Sequence, residues 1–214
     1  MRTYGRMLII SLLLTVALTG CYPQRAEPSW NVQWQAILHT ARAYHPDAIP
    51  YKVRADPVGD DSDVLAVAVT FFVDSQHSFE VKYVSNRVTK TRVIERDLGS
   101  IDAEGIAAIR ADAELFDEVA VGPQEALRTV LALPAVQDFI AAYDDAPSGT
   151  SLFAGHQWVN EFGSPTVWTF VQEVVIGEDF KSLRVWVDAR TGTVLCMVTD
   201  GSLSNGCMPG TPTN

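Results

Sequence analysis

The stretch of sequence that decides the fold is Leu183-Arg184-Val185-Trp186-Val187-Asp188-Ala189-Arg190-Thr191-Gly192-Thr193-Val194-Leu195. Up to Asp188, successive side chains alternate between two faces, which is typical of a β-strand with one buried face. Asp188 can accept hydrogen bonds from the backbone of the turn, and Gly192 can adopt a positive φ there. A second β-branched run begins at Thr193. The stretch therefore predicts an antiparallel hairpin.

Other runs rich in β-branched and aromatic residues, separated by turn residues, lie before this hairpin. We predict strands at residues 49–55, 64–73, 79–84, 88–94, 152–160, 166–176, 182–188 and 193–198. Apolar residues at helical spacing predict helices at residues 30–44, 101–116, 123–133 and 135–143. Ser29 can cap the first helix and Pro46 ends it. Its apolar face carries Trp30, Trp34, Ile37, Leu38, Ala41 and Tyr44.

Helices followed by strands thus occur twice, which predicts the α+β class with two helix-then-antiparallel-meander units. The units cover residues 29–98 and 99–200, and residues 201–214 form a tail. We expect each sheet to pack one face against its helices, because a meander cannot bury its apolar side alone. Tyr83-Val84-Ser85-Asn86-Arg87 and Trp186-Val187-Asp188-Ala189-Arg190 share a strand-into-turn rhythm. This similarity favours a structural duplication.

The hairpin of the second unit resembles the closing hairpin of PepSY-type domains, in which a strand ends in Val-Asp-x-x-Thr-Gly. The strand at 168–176 and the helix at 124–133 fit the element order of that family, and the first unit resembles it more loosely. PepSY domains occur in protease propeptides and in secreted or membrane-bound bacterial proteins, with proposed roles in modulating peptidases or binding envelope partners. The resemblance implies a non-catalytic module and carries over no catalytic residues.

The N-terminus has the layout of a secretory signal, in which Arg2 and Arg6 precede an apolar run at residues 7–18. The run is shorter than the about 20 residues that a membrane-spanning helix needs. Leu18-Thr19-Gly20-Cys21 resembles the lipobox of bacterial lipoproteins, where cleavage precedes a cysteine that receives diacylglycerol and usually an N-acyl chain such as palmitate. The resemblance implies a signal peptide at 1–20, lipidation of Cys21 and a tether at 21–28. The alternative is an ordinary signal peptide with a chance cysteine.

Two or three acyl chains give stable anchoring where one would be marginal. The lipobox resemblance therefore implies a protein held in the bacterial cell envelope by its lipid anchor. Tyr22, and not Asp, follows Cys21, which resembles outer-membrane sorting. In a Gram-negative cell the expected location is the outer membrane, facing the periplasm.

The composition indicates a folded, acidic domain. The full chain of 214 residues is 47% hydrophobic and has a net charge of −10. Without Arg2 and Arg6, 14 basic residues remain against 26 acidic ones, a net charge of −12. Such a surface repels nucleic acid and anionic lipid head groups, so we expect no nucleic-acid partner. The acidity can equally serve solubility alone.

With Cys21 lipidated, Cys196 and Cys207 are left as an even pair outside the cytoplasm, where disulfides persist. We predict that they bridge and tie residues 201–214 onto the last strand. Closing a loop this short stabilises a fold by about 2–3 kcal/mol in the chain-entropy model. A redox role is the alternative, but the pair lacks C-x-x-C spacing.

The sequence carries no recognisable catalytic or metal-binding motif. The histidines His39, His45, His77 and His156 lie apart, without zinc-ligand spacing. The acids of residues 56–63 lack the order of a calcium loop, which favours a solvated turn between strands. No G-x-S-x-G motif or phosphate loop occurs. We therefore expect no enzyme, no catalytic residue, no metal and no cofactor.

Aromatic residues of the second unit suggest a partner surface. Leu183, Val185 and Val187 face one side of their strand, whereas Arg184 and Trp186 face the other. With Trp158 and Trp168 in neighbouring strands, Arg184 and Trp186 could form such a surface, since aromatics and Arg are common interface anchors. The alternative is that helices cover that face.

The sequence therefore predicts a lipid-anchored envelope protein that acts as a non-catalytic binding or regulatory module for another envelope protein or a peptidase. The alternative is a small-ligand carrier or enzyme with a cavity between helices and sheet. A third possibility is a structural role in outer-membrane assembly.

Overall fold

The computed structural model describes residues 29–58, 61–74, 77–84, 94–97, 102–143, 149–154, 164, 166–176 and 179–199. Its helices are α1 (Trp30–Tyr44), α2 (Ala103–Ala113), α3 (Pro123–Leu131) and α4 (Pro134–Tyr143), with a 3₁₀ helix at Glu114–Glu118. The strands are β1 (Ile49–Val58), β2 (Asp61–Phe72), β3 (His77–Val84), β4 (Ile94–Asp97), β5 (Gly149–Ala154), β6 (Thr166–Ile176), β7 (Asp179–Asp188) and β8 (Val194–Thr199). The predicted α+β class and the order of helices before strands, twice, are confirmed.

The strands form one antiparallel sheet in the order β4-β3-β2-β1-β5-β6-β7-β8. The sequence predicted a sheet for each half, but β1 and β5 pair, with Val53 opposite Leu152 and Ala55 opposite Thr150. Each half is a meander that runs outward from this central pair. Pairing the two first strands removes two exposed sheet edges, which are sites of unwanted association.

One continuous core lies between the sheet and the helices α1, α3 and α4. Alternate residues of the strands face it, among them Val67, Val69 and Phe71 on β2 and Leu183, Val185 and Val187 on β7. The predicted buried face of α1 is confirmed except at Tyr44, which is 49% exposed and contacts the edge of Phe79. No helix among the described residues is long and apolar enough to cross a membrane.

Several element boundaries differ from the sequence prediction. The connection expected at residues 56–63 is largely strand, because Asp56 pairs with Ala66 and Val58 with Asp61. The helix predicted over 101–116 ends as an α-helix at Ala113 and continues as the 3₁₀ helix. Most of the strand predicted at 88–94 and the end of that at 152–160 lie outside the described residues.

The turn of the β7–β8 hairpin has the predicted geometry. Asp188 Oδ1 accepts hydrogen bonds from the backbone N–H groups of Arg190 at 2.7 Å and Thr191 at 3.0 Å. Gly192 has a φ of 75°, in the region that favours glycine. The turn is closed by a hydrogen bond from Gly192 N to the Asp188 carbonyl oxygen at 2.8 Å.

This turn also fixes the segment that leads into α3. The Ala189 carbonyl oxygen accepts hydrogen bonds from Ala120 N at 3.1 Å and Val121 N at 2.9 Å. From the other side, Trp168 Nε1 donates to the Val121 carbonyl oxygen at 2.8 Å. The hairpin at one end of the sheet therefore determines where α3 begins.

Replacing Asp188 by alanine is expected to lower the free energy of unfolding by about 1.5–3 kcal/mol, because the charged acceptor of two backbone donors is lost. Urea denaturation followed by circular dichroism measures the change. Asp138→Ala, at an exposed position of α4, is the control and should change stability by less than about 0.5 kcal/mol. Equal effects of the two substitutions would contradict the role of Asp188.

Candidate functional site

Two of the four residues proposed from the sequence as a partner surface are buried in the structure. Trp168 is 0% exposed and faces the helices, and Trp186 is 5% exposed. Both are therefore buried side chains and not surface anchors. Trp158 lies outside the described residues.

Trp186 does lie on the sheet face opposite the main core, as its place in the strand predicted. There it is buried in a second, smaller apolar cluster with Val167 and Cys196, against which Leu195 and Val198 pack. Arg184 lies on the same face of β7, half-buried, and its Nη2 lies 3.6 Å from Glu173 Oε1. Trp186 is thus used for packing.

Of the three predicted cysteine sites, only Cys196 lies within the described residues. It is 0% exposed and disulfide-bonded. Cys21 and Cys207 lie outside the described residues, so the lipidation and the identity of the bonded partner stay predictions.

The geometry indicates a different candidate site, which we call the helix-start cleft. It is a cleft of about 190 Å³ where the first residues of α1 and α3 come together. Its lining comprises Ser29, Trp30, Gln33, Gly122, Pro123, Gln124, Glu125 and Arg128.

Aromatic packing and the absence of a side chain at Gly122 bring the two helix starts together. Trp30 stacks on Trp34 with a centroid distance of 5.6 Å and meets Trp168 edge to face at 5.8 Å. A Cβ placed on Gly122 would lie 2.9 Å from the Cβ of Trp30. Since Val121 is fixed by Ala189 and Trp168, Gly122 permits the close approach of α3 to α1.

Two polar atoms of residues that line the cleft are buried without a partner. Trp30 Nε1 and Gln124 Oε1 have no hydrogen-bond partner among the described residues, and both residues are 6% exposed. By contrast, Trp34 Nε1 donates to Asp117 Oδ1 at 3.3 Å and Trp168 Nε1 donates to Val121. Buried polar atoms are normally paired, and this cleft brings together one residue with an unpaired donor and one with an unpaired acceptor.

The electrostatics of the cleft favour a negative group. Both helices begin there, and the N-terminus of a helix carries a partial positive charge and unused N–H groups. Ser29 occupies the predicted cap position of α1, but its side chain makes no capping hydrogen bond within the described ranges. Gly122 caps α3 without a side chain. Arg128 adds a full positive charge, and Glu125 is an exposed acid in the same lining.

A second cleft of about 250 Å³ lies between the end of α1 and β3. His77 Nδ1 lies there, 2.8 Å from Asp74 Oδ1, and Tyr44, His45 and Phe79 contribute to the lining. No group of three or more His, Cys, Asp or Glu in the described part of the chain could hold a metal ion. The second cleft is more apolar than the helix-start cleft and lacks its converging helix starts.

Replacing Gly122 by alanine is expected to lower the free energy of unfolding by about 1–3 kcal/mol, because the added methyl group overpacks against Trp30. Thermal unfolding measures the loss. The control is Gly105→Ala in α2, which should raise stability by about 0.5–1 kcal/mol, as expected for glycine in a helix. A Gly122→Ala protein as stable as the native one would show that the two helix starts are not in close contact.

The spacing of apolar residues in α1 predicted Trp30 as a core residue, but nothing predicted the cleft beside it. A signal was present: Gly122-Pro123 marks a helix start without a side-chain cap. The polar Gln124 follows at a position that α3 buries.

No protein-family model matches the chain, and no curated protein matches it. Among solved structures, one match is a crystal structure described as a "putative lipoprotein" from Clostridium difficile 630. It is 14% identical, and the alignment covers 78% of this chain and 92% of that one with a TM-score of 0.45.

Proposed function

We propose that this chain is a lipid-anchored protein of the bacterial cell envelope that binds a segment of another envelope protein in the helix-start cleft and does not alter it chemically. The observation that supports this most is the pair of unpartnered buried atoms, Trp30 Nε1 and Gln124 Oε1. An unsatisfied buried polar group costs about 1–3 kcal/mol. A partner that supplies one acceptor and one donor removes that cost.

The anchor is proposed from Leu18-Thr19-Gly20-Cys21 and its resemblance to a lipobox. Residues 21–28 separate the lipidated cysteine from the start of α1. Eight residues reach at most about 29 Å when fully extended. The helix-start cleft is therefore close to the membrane that holds the lipid, and its partner is expected at the same membrane. In a Gram-negative cell this is the outer membrane, on the periplasmic side.

Binding is favoured over catalysis by the groups in the cleft. An indole N–H, two side-chain amides and a guanidinium recognise and orient a ligand, but they are poor nucleophiles and bases near neutral pH. The carboxylate in the described lining, that of Glu125, lies exposed at the rim and not in a buried position. Ser29 supplies a hydroxyl, and the described lining includes no histidine that could activate it. The proposal thus keeps the non-catalytic role that the PepSY resemblance implies, with a peptidase as one kind of envelope partner.

A small-ligand carrier is the less favoured alternative. Pockets for drug-sized ligands have volumes of about 300–1,000 Å³. The helix-start cleft is about 190 Å³ and the second cleft about 250 Å³. These volumes suit a short chain segment better than an enclosed small molecule.

The disulfide is proposed to join Cys196 to Cys207. The chain has three cysteines, and a thioether on Cys21 removes that residue from disulfide exchange. The bond would then hold the tail near β8, where Cys196 lies in the smaller apolar cluster with Trp186.

Site-specific photocrosslinking in intact cells tests the proposed function. A benzophenone amino acid at Glu125, an exposed residue of the cleft, should crosslink to a discrete envelope protein. The matched control carries the same probe at Glu104, an exposed position of α2 outside the cleft lining, and should not give that product. Gln124→Leu in the Glu125 probe strain should remove it, because the acceptor is lost. The same products from both probe positions, or persistence in Gln124→Leu, would contradict binding in the cleft.

A further inference from the structure

We propose that the ligand of the helix-start cleft is the C-terminal residue of a peptide chain, bound through its free carboxylate and its last backbone N–H. This inference rests on the proposed function and specifies its ligand. The carboxylate would face the helix starts, Trp30 Nε1 and Arg128, and the N–H would donate to Gln124 Oε1.

The donors of the cleft select an anion. In α3 the hydrogen bond from Ala126 N to the Gly122 carbonyl oxygen is the first of the helix, so the N–H groups of Gln124 and Glu125 are not used within it. In α1 the first such bond runs from Gln33 N to the Ser29 carbonyl oxygen. Backbone N–H groups at a helix start bind carboxylates and phosphates readily. The buried indole N–H of Trp30 and the charge of Arg128 add to this preference.

The hydrogen-bond acceptor Gln124 Oε1 limits which anions fit the cleft. Gln124 Oε1 is buried and needs a donor. Phosphate and sulfate lack a neighbouring N–H, whereas the last residue of a peptide carries a carboxylate and an N–H on the same α-carbon. Capture of chain ends by backbone N–H groups is a known mode of peptide recognition.

The size of the cleft agrees with one terminal residue. A volume of about 190 Å³ corresponds to about six water molecules at about 30 Å³ each. Glu125 at the exposed rim disfavours a ligand whose final side chain adds a negative charge to that of the terminal carboxylate. We therefore expect a small, neutral final side chain.

The test uses nuclear magnetic resonance of the lipidated protein in detergent, observing the tryptophan indole N–H signals. The Trp30 signal is assigned with Trp30→Phe. Three probes are compared: acetyl-Gly-Ala-Ala with a free carboxylate, the same peptide with a C-terminal amide, and acetate. The free peptide should shift the Trp30 signal and leave those of Trp34 and Trp168 in place, because their Nε1 atoms already have partners.

Amidation of the peptide should weaken binding by about 10- to 100-fold, the loss expected for hydrogen bonds to a charged group. Acetate should bind weakly, because it has no N–H for Gln124. Arg128→Gln should weaken binding of the peptide with the free carboxylate by a similar factor. Arg110→Gln, at an exposed position of α2, should leave that binding unchanged.

Three results would overturn the inference. Equal binding of the acid and the amide would exclude carboxylate recognition while leaving binding in the cleft intact. Binding of acetate as tight as that of the peptide would indicate an anion site without chain-end recognition. If none of the probes shifts the Trp30 signal, the cleft is not a chain-end site, and crosslinking from Glu125 then decides the proposed function separately.

Discussion

Replacing Trp168 by alanine is expected to lower the free energy of unfolding by about 3–5 kcal/mol, a large part of the stability of an ordinary domain. The side chain is fully buried, and it connects β6 with Trp30 on α1 and with the carbonyl oxygen of Val121. Its loss would leave a cavity and an unpaired buried carbonyl group. Chemical denaturation of the purified protein measures the change.

Trp168→Phe separates the contribution of the buried aromatic ring from that of its hydrogen bond to Val121. Phenylalanine retains an aromatic ring but lacks the donor, so a smaller loss of about 1–3 kcal/mol is expected for the unpaired oxygen of Val121. Val32→Ala on α1, where the side chain is 57% exposed, is the control and should change stability by less than about 0.5 kcal/mol. A Trp168→Ala protein no less stable than Val32→Ala would show that Trp168 does not hold the helix starts against the sheet.

Replacing Cys21 by serine is expected to abolish incorporation of fatty acid completely, because the thioether needs the thiol. Cells grown with an alkyne-tagged fatty acid should label the native protein and leave Cys21→Ser unlabelled. The physical consequence is loss of stable membrane anchoring, since each buried CH₂ of an acyl chain contributes about 0.8 kcal/mol.

Cys207→Ser is the matched control and should keep the label. Non-reducing peptide mapping of the native protein should give a peptide that joins Cys196 to Cys207. Label on Cys21→Ser, or its absence from the native protein, would contradict the lipid anchor. A peptide that joins Cys196 to Cys21 would contradict both the anchor and the proposed disulfide.

Local features of the fold could be predicted where neighbouring residues determine them. Asp188 and Gly192 define the hairpin turn because an acceptor and a positive φ are needed within five consecutive residues. The buried face of α1 follows from its spacing of apolar residues, of which Tyr44 at the last turn is the exception. Helix and strand order followed from the same local patterns.

Features that depend on distant parts of the chain could not be predicted. The pairing of β1 with β5 joins segments from different halves, and nothing in either strand specifies its partner. The side of the sheet on which Trp186 lies was correctly predicted, but its burial depends on the strands on either side, which supply Val167 and Cys196. An alternating strand indicates which residues share a face and not what covers that face.

The helix-start cleft also depends on contacts between distant parts of the chain. It needs Gly122 against Trp30, and that contact depends on the hydrogen bonds from Ala120 and Val121 to Ala189 and from Trp168 to Val121. The sequence shows the glycine and the tryptophan but not their proximity. The unpaired state of Gln124 Oε1 likewise becomes visible only once α3 is packed.

The most direct test of the cleft as a binding site is the hydrogen exchange of the tryptophan indole N–H groups in the purified protein, measured in deuterated water. Trp30 Nε1 has no partner in the described structure, whereas Trp168 Nε1 is 2.8 Å from its acceptor. We predict that Trp30 exchanges at least about tenfold faster than Trp168, because hydrogen bonding protects the latter until the core opens. Exchange at Trp30 as slow as at Trp168 would contradict an unpaired Trp30 N–H that solvent or a ligand can reach in the cleft.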